Sequence, residues 1–78
     1  MTKDDLIVGH VYSAKRSKRD FFGFLNDRQI KWIGGDMIQY DSPTVAMGRH
    51  YPKITMEKFL KWAKEDVTKI MPEGEWRT

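Results

Sequence analysis

The chain contains no cysteine, so neither a disulfide framework nor a thiolate metal site is open to it, and packing alone must hold the fold. That composition fits a reducing compartment. The N-terminal stretch MTKDDLIVGH sets two acids before an apolar run of only three residues. It lacks the basic start and long apolar core of a signal peptide and cannot supply a membrane span, so the expected location is cytoplasmic, with no membrane partner. Internal repeats and low-complexity segments are absent too. With 78 residues there is room for one domain, 1–78, since chains divide only well beyond about 200 residues.

Catalytic signatures are missing as well. His10 and His50 have no spacing that would force them together on a metal, and the null of two partly exposed histidines is simpler. Ser13, Ser17 and Ser42 have no histidine and orienting acid at a recognisable distance. Gly34-Gly35 lacks the Lys-Ser/Thr of a phosphate-binding loop. Asp20, Asp27, Asp36 and Asp41 all sit where aspartate favours turns through local backbone hydrogen bonds. The expectation is a protein with no enzymatic activity, cofactor or metal.

What the chain does have is aromatics and an uneven charge. Its ten Phe, Tyr and Trp residues are a large share of the stabilisation open to so small a domain, so most must be core. Residues 10–53 hold eight basic and four acidic groups, a balance of +4, and the rest of the chain carries −1. The basic excess therefore lies in the middle of the sequence, where a polyanion would feel it.

Period and turn chemistry predict the elements. Residues 1–5 are polar and expected to fray; 6–54 read as sheet, 55–71 as helix and 72–78 as a tail. LIVGHVYSA is β-branched and aromatic and reads as a strand with a bend at Gly9. FFGFL starts a second strand, interrupted at Asn26-Asp27-Arg28. IKWIGGDMIQYD reads as a hairpin with a three-residue loop at 34–36, pairing Trp32 with Ile38 and Ile30 with Tyr40 on one apolar face. TVAMG is too short for a stable helix, and RHYPKI is extended, an edge-strand candidate. Thr55 is a good N-cap, and Met56, Phe59, Leu60, Ala63, Val67 and Ile70 form one apolar stripe at helical spacing. The predicted fold class is α+β: a small bent antiparallel sheet of three to five strands, SH3-like or otherwise barrel-like in its most closed form, packed against one C-terminal helix.

One stretch stands out. AKRSKRDFFGF, residues 14–24, sets four cations just ahead of three phenylalanines. Cations that neutralise phosphates beside ring faces that stack bases are what single-strand binders combine. Phe22-Gly23-Phe24-Leu25 also resembles the middle of the aromatic signature of RRM and cold-shock proteins, with Asp20, Phe21 and Asp27 departing from it, so no family is identified. The plain alternative is a solvated turn leading into a core strand. The functional expectation is a basic binding module that contacts DNA or RNA through a cationic sheet edge, with Lys15, Arg16, Lys18, Arg19, Phe21, Arg28 and Lys31 as the contacting residues. The competing expectation is a protein-interaction or homodimerising module anchored by Trp62, which falls about 120° off the helix's apolar stripe, and by Trp76.

Overall fold

The structure, a computed structural model, describes residues 1–45 and 48–78. Five strands form one antiparallel sheet: β1 (Val11–Ala14), β2 (Arg28–Gly34), β3 (Met37–Asp41), β4 (Lys53–Thr55) and β5 (Ala63–Asp66). One helix, α1 (Met56–Trp62), joins β4 to β5. The spatial order is β4-β3-β2-β1-β5, so four strands run as a meander and the fifth returns beside the first. No pairing joins β4 to β5 among the described residues, and the sheet stays open instead of closing into a barrel.

The core lies between one sheet face and α1. Leu6, Tyr12, Ile30, Ile38, Phe59 and Ala63 are buried there, and Ile33, Tyr40, Ile54 and Trp62 pack around them. Phe59 is the hub: its ring meets Tyr12 edge-on at 5.6 Å and Trp62 at 5.2 Å. The Tyr12 hydroxyl donates to the Asp5 carbonyl and accepts from the Ile7 amide, which satisfies its polar end inside the fold. That clamp changes the expected fraying of residues 1–5, where Lys3–Asp5 form a single 3₁₀ turn.

Several expectations are corrected. The first strand starts at Val11 because Gly9, at φ +90°, turns the chain; Ile7 and Val8 are left exposed. FFGFL is not a strand but a turn. The β2–β3 hairpin closes through Gly35-Asp36 alone, with Gly34 opposite Met37, Ile33 opposite Ile38 and Trp32 opposite Gln39. A bulge between Ile30 and Trp32 then restores Ile30 opposite Tyr40. The extra residue flips the parity of β2, so Ile33 joins the core and Trp32 goes to the outer face.

The helix ends at Trp62, well short of residue 71. Its start is as expected, with the Thr55 hydroxyl accepting from the Lys58 amide at 3.2 Å. Past Trp62 the free edge of β1 offers a full set of backbone partners, and the chain takes them: Ala63 pairs with Ala14 and Asp66 with Tyr12. Seven helical residues are marginal alone, so extending the sheet wins over extending the helix. Ala63 and Val67 stay buried in the new backbone, and Ile70 is exposed. Of the TVAMG expectation, Ala46 and Met47 lie outside the described residues. No helix among those described is long and apolar enough to cross a membrane.

Residues 72–78 are held too. Arg77 donates two hydrogen bonds to the buried Asp27 carboxylate, at 2.7 and 2.9 Å, and its carbonyl accepts from the Leu25 amide. Asp27 is therefore the anchor of the tail, not a turn former. The tail runs beside β1, β2 and β3, where Met71, Pro72 and Trp76 line one hollow with Gln29, Asp41 and the buried Val11.

Candidate functional site

The cationic stretch is a long excursion between β1 and β2, braced from within. Asn26 ties its stem: the side-chain carbonyl accepts from the Lys18 amide at 2.9 Å, and the side-chain amide donates to the Arg16 carbonyl at 3.1 Å. Arg19 pairs with Leu25 as an antiparallel bridge. The tip is a three-residue loop in which the Gly23 amide donates to the Asp20 carbonyl and the Asp20 amide to Phe24. Gly23 takes φ +86°, which a residue with a side chain adopts only under strain. The Asp20 carboxylate accepts from both the Phe22 and Phe24 amides, as an aspartate in a turn can.

This turn pushes two rings outward. Phe21 is 95% exposed and Phe22 78%, their rings edge-to-face at 5.3 Å. Lys15, Arg16, Lys18 and Arg19 are all exposed on the stem behind them. The resemblance of Phe22-Gly23-Phe24-Leu25 to a strand-borne aromatic signature ends here, since the segment is a loop. The cations accordingly sit on a β1–β2 connection and not along a sheet edge.

A second cluster lies on the outer sheet face. Trp32, Gln39 and Lys53 form one row across β2, β3 and β4. The Trp32 indole lies flat over Gly34, where an added Cβ would collide with it. Lys53 Nζ stands 5.4 Å from the Trp32 ring centroid, and Lys31 Nζ stands 5.4 Å from that of Tyr51. Trp32 and Tyr51 are 43% and 38% exposed, so part of each side chain meets solvent. Gln39 ties the two, donating to the Tyr51 carbonyl at 3.2 Å.

An open groove of about 450 Å³ joins the clusters. Phe22 and Phe24 from the hairpin tip, Tyr51 and Arg49 from the β3–β4 connection, and Trp76 from the tail line it, with Asp41 at the end of β3. A smaller hollow of about 230 Å³ sets Lys18 and Arg19 against Pro43 and Thr44, so the stem leans on the same connection. The groove thus meets the hairpin tip at Phe22 and the second cluster at Tyr51.

One expected contact residue, Arg28, and one expected interface anchor, Trp62, are elsewhere. Arg28 is sandwiched between Tyr40 and Trp62, its guanidinium carbon 4.3 and 4.2 Å from the two ring centroids. Burial there pushes its pKa below the usual value. Trp62 is thereby engaged on both sides, by Phe59 and by Arg28, and is half-buried. Trp76 is half-buried in the tail. The residues that the sequence reading passed over are Trp32, Tyr51, Arg49 and Lys53. Tyr51 and Lys53 were within reach, being two apart in an extended segment and so on one face. Trp32 was not, because its direction depends on the bulge.

Elsewhere, His10 donates to Asp66 at 2.6 Å, and the described residues contain no group of three or more acids and histidines able to hold a metal. Compared with family models, curated proteins and solved structures, the chain matches none.

Proposed function

We propose that this protein is a small non-enzymatic module that binds DNA or RNA, with single strands preferred, along the side of the sheet that carries Trp32, Tyr51 and the β1–β2 hairpin. The observation that carries this reading is the pair of part-exposed rings, Trp32 on the outer sheet face and Tyr51 in the β3–β4 connection, each with a lysine ammonium 5.4 Å from its centroid. A ring face offers base stacking that is tolerant of sequence, and a cation beside it can meet the phosphate of the same nucleotide. Lys15, Arg16, Lys18 and Arg19 extend the positive surface, and Phe21 and Phe22 add two ring faces at its end. Duplex DNA buries its base faces, so stacking favours unpaired strands.

The test is fluorescence anisotropy with labelled single- and double-stranded oligonucleotides at two salt concentrations. Binding that favours the single strand and weakens with salt is expected; no binding at low salt overturns the reading. A second reading, a protein-interaction module, draws on the exposed Phe21–Phe22 pair, since apolar rings held in water are typical of contact surfaces. Trp62, packed between Phe59 and Arg28, does not favour the homodimer form of that reading. Sedimentation separates the two: a stable dimer whose mass falls on Phe21→Ala and Phe22→Ala supports the second.

A further inference from the structure

The groove between hairpin tip, β3–β4 connection and tail has features that general backbone binding does not use. Phe24, Tyr51 and Trp76 line it, yet none of the three has another ring against it; the ring pairs of the described residues are Tyr12–Phe59, Phe21–Phe22, Tyr40–Phe59 and Phe59–Trp62. Aromatic walls that do not pack on one another leave a space for a flat group to enter. Two charged residues share this lining, Arg49 and Asp41. One Asp41 oxygen accepts from the Ser42 amide at 2.8 Å, and the other has no hydrogen-bond donor among the described residues.

We propose that this groove holds one unstacked nucleobase, with Arg49 at its phosphate and the Asp41 carboxylate at its hydrogen-bonding edge, so that guanine is preferred. The inference rests on the nucleic-acid reading above and adds base selection to it. A carboxylate only accepts hydrogen bonds, so it selects bases by the donors they present. Guanine alone places two donors side by side on its pairing edge, the ring N–H and the exocyclic amino group, matching the two oxygens of a carboxylate. Adenine and cytosine present an amino group next to an acceptor, and thymine one donor between two carbonyls. Each of these sets a lone pair against the carboxylate. Single-stranded bases are read at this edge and stacked on aromatic side chains.

The rival ligand for aromatic walls with a carboxylate is an ammonium cation, as in cages for methylated lysine. Arg49 in the lining argues against it: a cation would meet a like charge, whereas a nucleotide brings a phosphate for Arg49 and a donor edge for Asp41.

The experiment uses short thymine oligonucleotides with one central guanine, adenine or cytosine, beside the all-thymine strand, measured by anisotropy and by tryptophan quenching. One good two-bond pair to a base edge should let the guanine strand bind about tenfold tighter. Asp41→Asn retains an oxygen for the Ser42 amide and exchanges the other for a donor; it should abolish the guanine preference and favour adenine or cytosine, whose edges pair a donor with an acceptor, without weakening the all-thymine strand. The guanine preference should persist at raised salt, since base contacts release no counterions. Equal binding of all four strands by the wild type overturns the base pocket and leaves the nucleic-acid reading intact. Absence of binding to any strand removes both. Quenching by tetramethylammonium or a trimethyl-lysine peptide, with no competition from the guanine strand, assigns the groove to cations and overturns the proposal. Should Asp41→Asn not fold, the wild-type series decides alone.

Discussion

Phe21 and Phe59 show how little residue type says about role. Phe59 is fully buried at the centre of the core, and its replacement by alanine should cost about 3–5 kcal/mol in urea denaturation. Phe21 touches only its neighbour at the tip, and Phe21→Ala should change stability by less than about 0.5 kcal/mol. In the proposed role the same change should remove about 1–3 kcal/mol of single-strand affinity, read by anisotropy. Alternation along a strand leads to the expectation that at least one of the three rings faces out; Phe21 and Phe22 both do, but because the segment is a turn and not through alternation. That Arg28 would lie between Tyr40 and Trp62 was not legible, because its partners come from β3 and α1, far along the chain. Arg77 carries a third residue-scale expectation. Arg77→Ala strands the buried Asp27 carboxylate without a partner, and breaking such a pair costs about 3–5 kcal/mol. Thermal melting should show that loss, and Arg77→Lys should recover only part of it, since an ammonium cannot reproduce the two-pronged bond.

Among the elements, the helix cap and the β2, β3 and β4 segments match expectation, and the register of the hairpin and the last strand do not. Thr55 caps α1 through a residue three positions on, and Asp20 and Asp41 bond to amides within four. The antiparallel sheet and the helix beside it were readable for the same reason, from period and turn residues. The register of β2 was hidden because a bulge leaves no mark in the hydrophobic pattern of a short strand. β5 was hidden because AKED continues the helical spacing of MEKFLKW, while the edge that claims it lies about fifty residues earlier. The junction after β5 has its own pH dependence. Burial alone would raise the Asp66 carboxyl, but the hydrogen bonds from His10, from the Thr68 hydroxyl and from the Thr68 amide outweigh it and hold it below the ordinary carboxylate range. A carboxyl whose folded pKa is depressed stabilises above its unfolded value, and that contribution is lost as pH falls through the folded one. The melting temperature of Asp66→Asn should therefore lie below wild type at neutral pH, and the gap should close on acidification.

At the scale of the whole molecule, charge and topology have separate consequences. Replacing Lys15, Arg16, Lys18 and Arg19 together by Gln should weaken binding to all sequences alike, because phosphate contacts carry no base information. Each lost contact should lower the log–log salt slope by about 0.7 on single strands. The topology speaks instead about time. The β2–β3 hairpin closes over two residues, whereas β1 and β5 must meet from about fifty residues apart, at a loop-closure cost met before any contact rewards it. The hairpin can form early, and the β1–β5 seam comes last. The Lys15 amide donating to Trp62 and the Val67 amide donating to Val11 close the two ends of that seam, so they report on its opening. Native-state hydrogen exchange should find those two amides opening at lower free energy than the β2–β3 ladder. Because the tail follows β5 in the chain and is fastened to Asp27 and to the Leu25 amide, the wall that Trp76 gives the groove is pinned from both ends, so the bonds that hold the last seven residues also set the shape of the groove.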